Sequence, residues 1–219
     1  MYSPILQLLV LAGIAIFLIL RLRGVLGTRE GFEKPPVPQD KSKRVGRPDF
    51  EVIEGGPDHD IVDHVPEGSP SAQALSAMKA AEPSFSLGEF LQGARGAYEM
   101  ILMAFENGDL EEVRAFLSED VHAAFAEVVA EREAQGLSVD SSIAGIREVS
   151  VREATFDESS REGEIAIRFV AEMTTVVRNA EGEVVEGSAS EIRTQSDVWT
   201  FARTMGNDDP NWLLVATGE

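Results

Sequence analysis

The 219-residue chain contains no cysteine, which excludes a disulfide framework, a thiolate nucleophile and a Cys-ligated metal centre. Histidine is scarce as well: His59 and His64 fall in the run DHDIVDH, and His122 stands alone in the C-terminal half, without a second imidazole to share a metal. No Gly-rich phosphate loop follows a predicted strand, since GARG at Gly93 falls inside a predicted helix. Basic residues are few beyond position 47, where 11 Lys and Arg face 35 Asp and Glu. So acidic a body is repelled by phosphate, and no nucleic-acid partner is expected.

The first 47 residues have the opposite balance, 8 basic against 3 acidic. Residues 1–20 carry no charged side chain, and from Ile5 to Leu20 only Gln7 is strongly polar. Twenty helical residues span about 30 Å, the thickness of a bilayer's hydrocarbon core. Arg21, Arg23 and Arg29 follow this run rather than precede it, and no small-residue cleavage site intervenes, so residues 1–27 are expected to be a retained transmembrane anchor rather than a signal peptide. The positive-inside rule then predicts the N-terminus outside and the C-terminal domain in the cytoplasm. The basic juxtamembrane segment suits anionic headgroups, at roughly 1 kcal/mol per residue near the surface.

Residues 28–84 hold eight of the ten prolines and sustain neither helical nor alternating periodicity, so a disordered, Pro-rich acidic linker is expected. Within it, Asp58, His59, Asp60, Asp63 and His64 are better read as a solvated acidic run than as a metal site, and no metal or other cofactor is expected. Residues 69–82, SPSAQALSAMKAAE, have the pattern of a short amphipathic helix that binds a partner.

The folded domain is expected over residues 85–219. Ser86 and Glu89 have capping-box spacing, and Leu87, Phe90, Leu91, Ala94, Tyr98, Ile101, Leu102 and Phe105 recur at helical intervals up to Gly108. Asp109 and Glu112 repeat the capping pattern for a shorter helix through Leu110, Val113, Phe116 and Leu117. Ser118 starts a third, with Val121, Phe125, Val128 and Val129 on one face. Thereafter the period changes to two. Residues 146–156, 164–178 and 184–204 read as strands, the last bending or bulging around Gly187. Residues 197–217 form a final aromatic hairpin containing both tryptophans. Three helices followed by four antiparallel strands predict an α+β domain with the helices on one face of a curved sheet. Tyr98, Phe105, Phe125, Phe169, Trp199, Phe201 and Trp212 are the candidate lining of any pocket between the two layers.

No catalytic set emerges from these residues, and the protein is not expected to be an enzyme. Tyr98 and Asp197 have the residue types of a pocket acid and base, yet Tyr98 lies in an apolar helical stripe and is better read as core. His122 is read as a helix-surface or partly buried side chain.

The stretches GARGAYEMILMAFENGDLEEVRAFLSEDVHAAFAEVVAERE (residues 93–133) and DVWTFARTMGNDDPNWLLVAT (residues 197–217) together resemble the Tim44-like domain family. That resemblance implies a nuclear-transport-factor-two-like cone over roughly residues 85–217, with an apolar pocket between helices and sheet. It also implies an inner-membrane adaptor that binds protein partners or clients in protein translocation or membrane-protein assembly, with chaperone binding a property of the best-known member. A lipid or small apolar ligand in the pocket is the alternative reading.

Overall fold

The computed structural model describes residues 56–218. Three serines set the helical layer. Ser69, Ser86 and Ser118 each stand in extended backbone and accept a hydrogen bond from the amide three residues on, those of Ala72, Glu89 and Val121, so each satisfies an amide that the helix leaves free. A single turn, α1 (His59–Val62), comes first; the serines then begin α2 (Pro70–Ala81), α3 (Leu87–Asn107) and α4 (Glu119–Ala134). Gly108 ends α3 in the left-handed conformation, with φ 77°.

Four strands follow, β1 (Ser138–Asp157), β2 (Glu162–Arg178), β3 (Val184–Thr204) and β4 (Leu213–Gly218), paired antiparallel in the order of the chain. Alternation in β2 assigns the core face: Ile165, Ile167, Phe169, Ala171 and Met173 are all buried. Phe90, Ala94, Tyr98, Ile101 and Leu102 of α3 close over that face, as do Trp199, Phe201 and Leu214 of β3 and β4. Each large side chain so buried is worth about 1.5–3 kcal/mol. The architecture is α+β, with helices packed on an open four-stranded antiparallel sheet. Three register shifts in β1 bend that long strand.

β3 departs further from regularity. Met173 and Thr175 of β2 face Arg193 and Ser188, so residues 189–192 bulge out against Thr174 alone. Gly187 makes this possible. Its φ is 77°, and a Cβ there would sit 1.9 Å from the Thr175 carbonyl oxygen. The expected irregularity at this glycine is therefore a close backbone approach that excludes any side chain.

The expected linker is corrected for residues 58–84, which are part of the fold. Ile61, Val65, Ala72, Leu75 and Met78 are buried, and the Ser71 hydroxyl oxygen accepts from the Ala154 amide on the outer edge of β1. The partner of the predicted amphipathic helix at residues 69–82 is thus the chain's own sheet. Proline misled the reading because Pro70 sits in the first turn of a helix, where its missing N–H costs nothing. Two smaller differences concern the next elements. Residues Glu111–Phe116 form a 3-10 helix without a side-chain cap, so the Asp109 cap is not made. On α4 only Val121 is buried, Phe125 and Val129 pack partly, and Val128 is 38% exposed.

The anchor expected at residues 1–27, including Ile5, Leu20, Arg21, Arg23 and Arg29, lies outside the described residues, as does the rest of the linker up to residue 55. Among the described residues no helix is long and apolar enough to cross a membrane.

Candidate functional site: an aromatic core opening onto a polar cleft

Five of the seven candidate lining residues form one continuous aromatic array. Tyr98 stacks on Phe169 with ring centroids 4.3 Å apart and meets Trp199 at 4.7 Å; Trp199 continues to Phe201 at 6.4 Å. Phe90 links Phe201 at 6.0 Å to Trp212 at 4.6 Å, and Phe85 closes the end against Trp212 at 5.9 Å. These rings pack on one another as core. Tyr98, Phe169, Trp199 and Phe201 are buried, and Trp212 is half-buried at the margin. Phe105 and Phe125 form a separate pair, 4.6 Å apart, which fastens α4 to α3; the Arg132 guanidinium lies 4.5 Å above Phe105.

One polar contact marks where the aromatic core ends. Tyr98 donates its hydroxyl proton to Asp197 Oδ2 at 2.5 Å, and Gln195 Nε2 donates to both oxygens of the same carboxylate at 3.1 and 3.0 Å. Burial raises the Tyr98 phenol above its ordinary range, and the Asp197 carboxylate raises it further by accepting the proton and by charge. Held protonated in this way, Tyr98 cannot act as a base. It is a fixed donor that orients Asp197. The pair suggested by residue type does meet in space, and its chemistry is that of a partly buried charge-assisted hydrogen bond.

Beyond Asp197 the inner face of the sheet becomes polar. A depression of about 580 Å³ is lined by Met173, Thr175 and residues 193–197, and a second of about 300 Å³ by Glu106, Arg132, Leu137, Val139, Val177, Glu186 and Gly187; both include Thr175 and Arg193. Ser141, buried on β1, donates toward Glu106 at 3.2 Å and lies 3.1 Å from the Thr175 hydroxyl, which ties the end of α3 to the sheet there. None of the seven aromatic candidates lines either depression.

At the opposite end of β3, Arg203 is largely buried beside Trp212, its side chain 9% exposed and its guanidinium carbon 5.2 Å from the ring centre. Its Nη2 lies 2.5 Å from Glu82 Oε1, while Glu82 Oε2 accepts from the Gly206 amide at 2.7 Å. Burial works to raise the Glu82 carboxyl, and the Gly206 amide and Arg203 outweigh it, so the group titrates below its usual range. This junction fastens the end of α2 to the turn between β3 and β4. In the sequence Glu82 falls in the Pro-rich stretch that reads as linker, which conceals the pair, although Arg203 inside the aromatic alternation WTFAR is a visible signal of it. His59 meets Asp63 at 3.6 Å on the surface, and no group of three metal-binding side chains occurs among the described residues. His122 is half-buried in the first turn of α4.

The profile of the Tim44-like domain matches residues 71–219, a span that takes in α2, the aromatic array and the polar cleft. The chain belongs to the Tim44-like domain family. The chain is 26% identical over 147 residues to the mitochondrial import inner membrane translocase subunit TIM44 of Homo sapiens, covering 66% of this chain and 32% of that protein. It is 28% identical over 153 residues to the mitochondrial import inner membrane translocase subunit TIM44-1 of Arabidopsis thaliana, covering 66% of this chain and 31% of that protein. The chain therefore spans about a third of the length of these curated relatives. Among solved structures, the crystal structure of the intermembrane space region of chloroplast protein ARC6 is similar with a TM-score of 0.42 and 14% identity, over 59% of this chain and 93% of that one. A likeness at that level carries no argument about function.

Proposed function

We propose that this chain is a membrane-tethered adaptor whose Tim44-like domain binds protein partners or clients at an inner membrane, in protein translocation or membrane-protein assembly. The match to the Tim44-like domain over residues 71–219, shared with two subunits of an inner-membrane import translocase, carries this reading. The apolar run ending at Leu20, with Arg21, Arg23 and Arg29 behind it, supports a single-pass anchor and a cytoplasmic domain. Residues beyond the anchor up to the fold would act as a tether, restricting the domain to a shell near the bilayer and raising its effective concentration toward membrane-bound partners.

The interior favours this use over storage of an apolar ligand. Tyr98, Phe169, Trp199 and Phe201 fill the space between helices and sheet with one another, and the open depressions are lined largely by polar side chains. We also read the bent β1 and the helical cover as the nuclear-transport-factor-two-like cone, with the polar cleft at its mouth. Affinity capture from membranes compares the full chain with a variant lacking residues 1–27. Translocation, chaperone or membrane-assembly proteins should be enriched with the full chain and depleted without the anchor; equal recovery from both would contradict a tethered adaptor.

A further inference from the structure

β3 is 21 residues long, and β4 covers little of it. Their pairing runs only from Ala202 opposite Leu213 to Val198 opposite Gly218. On the side away from β2, residues 184–197 have no strand or isolated bridge beside them among the described residues. The bulge at residues 189–192 interrupts that open edge, so what remains straight is a five-residue ledge, Arg193, Thr194, Gln195, Ser196 and Asp197, between the bulge and the end of β4. The larger depression runs along this ledge. Its lining takes in every residue of the ledge, Arg193 to Asp197, together with Met173 and Thr175 of β2, so it lies against the ledge on the inner side of the sheet. Open backbone donors and acceptors in a straight edge are a template for another strand.

We propose that the strand seated here is the same ledge of a second copy of this chain, antiparallel, with Gln195 on a two-fold axis. The order R-T-Q-S-D is complementary to itself about its centre. In this register Arg193 stands opposite Asp197 of the second copy, Asp197 opposite Arg193, and Thr194 opposite Ser196. Opposite charges and hydroxyl pairs facing each other across strands stabilise a ladder, whereas like charges destabilise it. A parallel arrangement in register sets Arg193 on Arg193 and Asp197 on Asp197, and is disfavoured for that reason. The side chains are available for this pairing. Arg193 is exposed and among the described residues is held by Glu191 at 3.2 Å, and Asp197 is partly exposed, its carboxylate accepting from Tyr98 and Gln195 with acceptor capacity left over. The interface is isologous and closes on itself, so it yields a dimer and no larger array. An extended segment of another protein would satisfy the same backbone groups; what selects a second copy is the charge order of the five side chains.

The absence of cysteine makes the register directly readable. Gln195→Cys, introduced in the full chain, puts one thiol from each copy directly opposite the other, at about 4.5–5.5 Å between Cα atoms, within the range a disulfide bridges. Thr194→Cys and Ser196→Cys put like thiols on a diagonal at roughly 7–8 Å. Under mild oxidation in detergent, Q195C should form covalent dimers at least about tenfold faster than T194C or S196C. Adding Arg193→Glu to Q195C should slow the dimer about tenfold, because it faces two carboxylates across each end of the ledge. Equal rates at the three positions, no covalent dimer with Q195C, or no effect of R193E would each overturn the proposal. Near-ultraviolet circular dichroism of every variant confirms that the ledge is compared in a folded domain. Protection of Q195C by an extended peptide, with no dimer at any concentration, would assign the ledge to another protein and would likewise overturn it.

Discussion

The carboxylate of Asp60 lies 2.8 Å from the Lys79 ammonium and takes backbone hydrogen bonds from Leu87 and Gly88, each at 2.8 Å. One side chain of α1 thereby holds α2 by charge and supplies an anion to the N-terminus of α3, where unpaired amides favour it. Burial acts to raise the Asp60 carboxyl; Lys79 and the two amides outweigh it and bring it from 3.8 down to about 2. Since the folded value is depressed, the stabilisation is present above the unfolded value and is lost as pH falls from about 4 toward 2. Asp60→Asn should cost about 1–3 kcal/mol near neutrality and flatten the acid limb of the stability curve, read by urea unfolding at a series of pH values. An unchanged acid limb would show that another group sets it.

Leu75 of α2 is fully buried, although it lies in a stretch that reads as linker. Leu75→Ala should therefore destabilise the domain by about 2–5 kcal/mol, the cost of a core cavity. Val128→Ala on the exposed side of α4 should stay within about 0.5 kcal/mol. Chemical denaturation of the two variants beside the parent checks both values.

Tyr98 is held protonated by burial and by Asp197. Its folded value is raised, so its contribution to stability is complete below the unfolded value of about 10 and is lost as pH rises beyond it. Subtracting the alkaline absorbance titration of Tyr98→Phe from that of the parent should reveal no phenolate from this residue below about pH 11 while the domain is folded. The same substitution should cost about 1–3 kcal/mol, because it leaves the Asp197 carboxylate short of a donor.

Glu82 is the partner of the largely buried Arg203 guanidinium. Glu82→Ala leaves that charge without a carboxylate and should destabilise by about 3 kcal/mol, whereas replacing Glu82 and Arg203 together by apolar residues should recover part of the loss. Thermal unfolding of the two single variants and the double variant separates the terms as a double-mutant cycle.

Much of this fold is legible in the sequence where one physical signal acts alone. Ser86, Ser118 and Gly108 mark helix ends because capping is local, and the alternation from Ile165 to Met173 marks the inner strand because the sheet buries one face. The reading fails where a local signal is ambiguous and distant partners decide. Pro70 suits both a linker and a helix start, and only the contact of Leu75 and Met78 with the sheet chooses between them. The polar cleft was hidden for the same reason: Glu106, Arg132, Ser141 and Arg193 come from four separate elements, and no spacing in the chain joins them. Tyr98 and Asp197 were visible by type, and their roles became clear only with the burial that fixes the proton on Tyr98.

The adaptor account is tested most directly by photo-crosslinking from the domain surface in native membranes, with a photoreactive residue at exposed sites such as Met100 and Val128. It predicts crosslinks to translocation, chaperone or membrane-assembly proteins that vanish when the domain is deleted. Recovery of none of these above the deletion control would contradict it.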